Sequence, residues 1–281
     1  MSLALETNET LRDADAPPRP QKPRRAPRTG TAVISTVTLA ALIGLWFAAS
    51  QLGLVSPLFL PSPLEVLHQL QSIAIDGYAE GTLTDHILAS AGRIGAALAF
   101  GIVLGIPLGL AMGLNRWARG IFGVPIDLYW GLPPLAYLPL LIIWLGIGEA
   151  SKILLLSLAT FAPICYAAQA GVRSVPVERI NAARSLGATP LQVFFTIVFP
   201  SALPEILTGV RIAIGASLST LVAAELIAAR SGLGYMIMSA ANFLATDVVF
   251  VGLVVIAAFA FILTTLMKWA ERRLVPWKGK I

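Results

Sequence analysis

ILASAGRIGAALAFGIVLGIPLGLAMGL, residues 87–114, holds one charged side chain, Arg93, in an otherwise apolar run. A helix rises about 1.5 Å per residue, so this run can cross a hydrocarbon core of ~30 Å. Comparable runs lie on either side. Thr31–Leu54 is free of charge, and Lys152–Val172, Glu205–Ala229 and Val248–Trp269 follow. Ile121–Gly148 is interrupted by Pro125, Pro133, Pro134 and Pro139. It reads as a short segment, a break at Pro133-Pro134 and a short third span. The prediction is an all-α, polytopic membrane protein with six transmembrane helices. Composition agrees: 57% of the 281 residues are hydrophobic and 12% charged, against roughly 25% charged in soluble domains.

The remaining segments divide the chain. Residues 1–30 are proline-rich and basic, too polar to bury a core, and read as a disordered tail. A signal peptide is the rival reading of the first run; its length favours a retained anchor. Residues 31–83 hold that anchor and a more polar stretch. There Ser62-Pro63-Leu64-Glu65 predicts a capping box opening a short amphipathic helix on the outer surface. Residues 84–268 form the main body, and 269–281 a second cytoplasmic tail.

Charge sets the expected orientation. Sixteen Lys and Arg residues fall before span one and after spans two, four and six, against Lys152 and Arg230 in the alternate loops. The positive-inside rule then places both termini in the cytoplasm. This distribution explains the net charge of +5 without nucleic acid. One cysteine and two histidines argue against a zinc site. No G-x-x-x-x-G-K-[ST] phosphate loop occurs, so the chain is not expected to hydrolyse ATP.

Asn181–Pro200 reads NAARSLGATPLQVFFTIVFP. Pro176 and Glu178 suit the first turn of a helix. Gly187 suits a left-handed helix end, and Thr189-Pro190-Leu191-Gln192 suits a second capped helix. On these residues alone, an interfacial loop and a docking element both fit.

The stretch resembles the EAA loop of ATP-binding-cassette importer permeases. Ala182-Ala183, Gly187, Ile197 and Phe199-Pro200 keep its spacing, with Asn181 in place of the usual glutamate and Phe199 in place of leucine. SPLFLPSPLEVL (56–67), PPLAYLPLLIIWLGIGEASKILL (133–155) and ERRLVPWKGK (271–280) are similar to the sulfonate, taurine and nitrate branch, taurine permeases above all. The resemblance implies a type-1 permease fold and a homodimer. It also implies two separate ATPase subunits carrying ATP-Mg, a periplasmic binding protein, and transport of taurine or a related sulfonate across the inner membrane. No cofactor is expected in this chain. The loop, about 175–200, implies an ATPase-coupling site of Asn181, Ala182, Ala183, Arg184, Ser185, Leu186, Gly187, Ala188 and Pro190. Alkanesulfonate or nitrate cargo is the alternative. An ion-coupled transporter would need acidic groups at mid-span, which the spans lack, and no metal or nucleophile constellation supports an enzyme.

Two further features carry expectations. Gly101, Gly105, Gly109 and Gly113 recur every four residues and suit close helix packing, within the subunit or across a dimer seam. Arg93 either snorkels to the outer surface beside Asp85 or draws anions along the path. Glu225 pairs with Arg93, lines a gate or is solvated at the interface.

Overall fold

Helices account for nearly all the chain in the computed structural model, which describes residues 28–277; the predicted basic tail lies largely outside them. The chain divides into two units, residues 1–48 and 49–281. Helix α1 (Arg28–Gln51) makes up the described part of the first and runs three residues into the second. Its apolar stretch, Val33–Gln51, is long enough to span.

The second unit opens with α2 (Pro63–Asp76), whose capping box is present: Ser62 Oγ accepts from Glu65 N–H and Glu65 accepts from Ser62 N–H. Val66 and Ile73 are buried, while Leu64, Leu67 and Ile75 on the same helix are exposed. Helix α3 (Leu83–Leu114) begins with a second capping box, between Thr82 and Asp85. Helix α4 (Arg116–Trp130) leads through Gly131–Pro133 into a 3-10 turn (Pro134–Tyr137) and α5 (Leu138–Leu145). The two limbs meet at 93°. At 1.5 Å per residue the eight residues of α5 cover only about 12 Å, so the expected short third span exists only as this bent pair. Among the described residues, five helices are long and apolar enough to cross by themselves, and the pair, taken as one span, makes six.

Helix α6 (Glu149–Arg173) is the centre of the unit: 61% of its most apolar window is buried, against 17% in α10 (Thr246–Leu274). The glycine stripe of α3 lies on it. An added Cβ at Gly109 would sit 2.2 Å from the Cys165 carbonyl oxygen, and one at Gly113 2.6 Å from Val172 Cβ. Gly101 and Gly105 face Thr160, Phe161 and Ile164. Of the two uses predicted for the stripe, packing inside the subunit is the one present.

Among the described residues, two π turns interrupt the regular helical path, Gly101–Gly105 in α3 and Phe194–Val198 farther on. Each ends two residues before a proline, Pro107 or Pro200. Proline lacks an N–H and its ring displaces the carbonyl four residues back, which a wider turn relieves. Pro125, Pro163 and Pro204 sit in regular helix, so proline alone does not dictate a π turn. In α3, Thr160 Oγ1 of α6 donates to the Ala97 carbonyl beside the turn at 2.9 Å, a second donor to an oxygen that also accepts from Gly101 N–H. The wide turn also keeps the glycines aligned. A step of four overshoots a 3.6-residue turn, whereas a π turn holds more residues and offsets the drift.

After α6 come α7 (Val177–Ser185), α8 (Pro190–Ala228), α9 (Leu233–Asn242) and α10. The fifth span was expected to start at Glu205. Instead α8 is helical from Pro190, 39 residues in all, or about 58 Å. Helix α9 was not anticipated. Helix α10 continues five residues past Trp269, to Leu274.

Candidate functional site

Helix α6 ends at Arg173, and the segment predicted to couple follows directly. Glu178 lies in the first turn of α7 and Arg184 in the last, so both charges suit the helix dipole. Pro176 occupies the N-cap rather than the first helical turn. Gly187 has φ +83°. Its N–H donates to Arg184 O at 2.9 Å and Ala188 N–H donates to Ala183 O at 3.0 Å, a Schellman closure. Thr189 Oγ1 then accepts from Gln192 N–H while Gln192 Oε1 accepts from Thr189 N–H. The end of one helix and the start of the next are therefore both capped within seven residues, 183 to 189.

Packing divides the segment's side chains. Ala183, Ala188, Ile180, Phe194 and Ile197 turn inward onto Val172, Val175, Val193 and Ala202. Leu186, Leu191, Phe195 and Val177 turn outward, Leu186 at 89% exposure. Asn181, Ala182, Arg184, Ser185 and Pro190 are also exposed. Arg184 and Pro190 border a pocket of about 340 Å³ with Leu114 and Leu191. Such a face, apolar, capped and continuous with a long helix, suits contact with another protein.

The opposite end of α6 carries a buried charge cluster. Arg93 is 2% exposed. Its Nε and Nη2 donate to Glu149 at 2.6 and 2.8 Å, and its Nη1 donates to Glu225. Lys152, 3% exposed, donates to Glu149 at 2.7 Å. Glu225 also accepts from the Ser90 hydroxyl at 2.8 Å and from Gly234 N–H at 2.8 Å. Arg93 reaches on to the Ser231 carbonyl and hydroxyl. Beside it, Gly232 N–H donates to His86 Nδ1 at 3.1 Å, and His86 Nε2 lies 2.8 Å from the Tyr78 carbonyl. A backbone N–H can only donate and a carbonyl only accept, so this imidazole is neutral and carries its proton on Nε2.

The snorkelling expectation for Arg93 does not describe this arrangement. Asp85, its predicted neighbour, is occupied by the Thr82 cap, accepting from both its N–H and its hydroxyl. Arg93 does not snorkel; it is buried and saturated with acceptors. Of the three expectations for Glu225, the pairing with Arg93 is present, and burial at 1% exposure rules out interfacial solvation. Sequence reasoning missed Glu149, Lys152, Ser90, His86 and the Ser231–Gly234 backbone. Glu149 and Lys152 are adjacent acid and base at the start of an apolar run, and that signal was available.

A third feature lies between these ends. The α4–α5 break borders a pocket of about 420 Å³ lined by Trp130, Gly131, Leu132, Pro133, Pro134, Ala159, Ala216 and Thr220. Nearby, the Tyr166 hydroxyl donates to Asp127.

Comparison with known proteins adds the following. The family of binding-protein-dependent transport system inner membrane components matches residues 101–276. The taurine transport system permease protein TauC of Escherichia coli (strain K12) is 52% identical over 92% of this chain and 94% of its own length. The putative aliphatic sulfonates transport permease protein SsuC of the same organism is 36% identical over 84% and 88%. The nitrate import permease protein NrtB of Synechocystis sp. is 29% identical over 79% and 82%. Among solved structures, an inward-facing form of the MetNI methionine ABC transporter aligns with 69% of this chain and 94% of its own. The TM-score is 0.57 at 20% identity, a likeness of fold.

Proposed function

We infer the function from one premise: this chain belongs to the family of binding-protein-dependent transport system inner membrane components. It is a multi-pass permease subunit of an ATP-driven importer, and a separate ATPase chain hydrolyses the ATP. The cargo we assign is taurine or a closely related small sulfonate. Identity of 52% to a taurine permease across nearly the whole chain supports it, against 36% and 29% to the permeases named for aliphatic sulfonates and nitrate.

The assembled machine, on this reading, holds two copies of this chain, two ATPase subunits and a periplasmic binding protein, in the bacterial inner membrane. The basic ends of the spans support cytoplasmic termini. ATPase movement enters through residues 175–200. The observation that carries this role is structural continuity. The exposed segment from Asn181 to Pro190 is capped on both sides of Gly187, and α8 runs from it to Ala228 as one helix through the π turn at Phe194–Val198. A push on Leu186 or Arg184 is thus delivered along a helix that crosses the membrane, where Ala216 and Thr220 border the pocket at the α4–α5 break. No covalent step is assigned to this chain.

The test is reconstitution of the permease–ATPase complex with its binding protein in liposomes with labelled taurine. Uptake that needs both ATP and the binding protein, and that excess ethanesulfonate or nitrate suppresses only weakly, is expected. Uptake of nitrate in preference to any sulfonate would overturn the cargo, and uptake without ATP would overturn the class.

A further inference from the structure

Glu149 and its two cations are unequally exposed. Arg93 and Lys152 are 2% and 3% exposed, whereas the Glu149 side chain they share is 57% exposed. Glu225, the other carboxylate, is fixed by Arg93, Ser90 and the Gly234 amide with no exposed surface. Glu149 takes its side-chain hydrogen bonds only from the two cations, among the described residues. It is the one of the three groups that reaches the surface of the chain, so it can rotate away from two cations that stay buried.

We propose that Arg93 and Lys152 form an anion-binding site that Glu149 plugs, and that the sulfonate of a small aminosulfonate displaces Glu149 from it during passage. The proposal rests on the sulfonate reading above. A sulfonate carries the same single charge as a carboxylate and offers three acceptor oxygens to the three N–H donors now on Glu149. Exchange keeps the cluster neutral: two cations, Glu225 and one further anion. Departure of Glu149 without replacement would leave Arg93 and Lys152 with Glu225 as their one counter-charge, a net buried positive charge and a strongly unfavourable state. The plug therefore yields to an anion and to nothing else.

The displaced Glu149 gives the site a second half. It stays tethered at the first residue of α6, within a side chain's length of the cations it left. An aminosulfonate brings an ammonium two carbons from its sulfonate, and that ammonium meets the freed carboxylate. An alkanesulfonate or nitrate offers Glu149 no partner. Lys152 and Glu149 are thereby specificity-determining residues: one for the anion, the other for the amine.

The experiment uses the permease–ATPase complex in nanodiscs without binding protein, titrated with taurine and separately with ethanesulfonate. Saturable taurine binding is expected, with a preference over ethanesulfonate. Glu149→Gln removes the charge that receives the ammonium, so that preference should fall about tenfold, the scale of one partly solvated charge pair, while ethanesulfonate still binds. Lys152→Gln should weaken both ligands about tenfold. No saturable taurine binding to the wild-type complex, or an unchanged preference in the Glu149→Gln complex, overturns the proposal. Should Lys152→Gln fail to assemble, the conservative Glu149→Gln comparison alone decides. Taurine uptake by the complete wild-type transporter is measured alongside. Normal uptake with an unchanged preference defeats this site alone, whereas absence of sulfonate uptake defeats the cargo assignment itself.

Discussion

The two ends of α6 are organised on opposite lines. Beyond Arg173, the segment 175–200 is held by hydrogen bonds between residues three to five apart, and it exposes apolar side chains. Around Glu149, hydrogen bonds join residues as far as 146 apart in sequence, and the groups they join are mostly charged and buried. A locally bonded element keeps its shape when its surroundings move, so it can be displaced as one piece. A cluster bonded across α3, α6, α8 and the start of α9 exists only when all of them are in place. The first arrangement suits the transmission of motion and the second suits holding elements together.

The largest expected effect lies in the cluster. Glu225→Ala removes the acceptor of Arg93, Ser90 and the Gly234 amide together. Loss of one partner of a buried pair costs about 3–5 kcal/mol, and chemical denaturation of the solubilised chain should record a loss on that scale. A loss below about 1 kcal/mol, the level of an exposed pair, would break the contrast drawn here.

A smaller effect, of a different kind, is expected in the segment 175–200. No atom lies within 4 Å of a Cβ added at Gly187, so Gly187→Val meets no clash. Its cost is the left-handed backbone, about 1–2 kcal/mol, and a redirected Thr189 cap. The chain should insert and fold, while ATPase association or binding-protein-stimulated hydrolysis declines. Full stimulation with normal uptake would show that coupling runs elsewhere.

The smallest effect sharpens the local side of the comparison. Thr189→Ala removes one cap, worth roughly 1 kcal/mol. Hydrogen exchange should quicken at the Gln192 amide, up to about tenfold, and stay unchanged at Gly234. Equal acceleration at both would mean that the two ends are not independent.

The same contrast explains what could be read from sequence. The Ser62 and Thr189 capping boxes, the turn at Gly187 and the break at Pro133-Pro134 all depend on neighbours within a few positions, and each is where it was expected. The Thr82–Asp85 box carries the same local signal and was overlooked, and that oversight produced the mistaken partner for Arg93. The Arg93 cluster itself depends on which helices meet, and no short-range pattern encodes that. The start of α8 was misplaced for a related reason. A short capped helix was expected at 189–192 and a separate span from Glu205; Pro190 does open a helix, but it runs on into the span because the π turn at 194–198 absorbs Pro200. Helix α9 is ten residues long and starts after Gly232 with no side-chain cap, so no local signal marks it in an apolar background.

The spacing of the cluster also bears on how the chain is made. Arg93 leaves the ribosome 56 residues ahead of Glu149 and 132 ahead of Glu225. At roughly 5–20 residues per second, it waits from about three seconds to nearly half a minute for those partners. The insertion machinery must therefore accept α3 while its arginine is unneutralised, against roughly 2.5–3.5 kcal/mol on insertion scales. The mean hydropathy of 2.2 in its most apolar stretch offsets that burden. Polar substitutions along the exposed side of α3, at Ile102 or Val103, would then be felt first as failed insertion, before any helix of the finished bundle had met another.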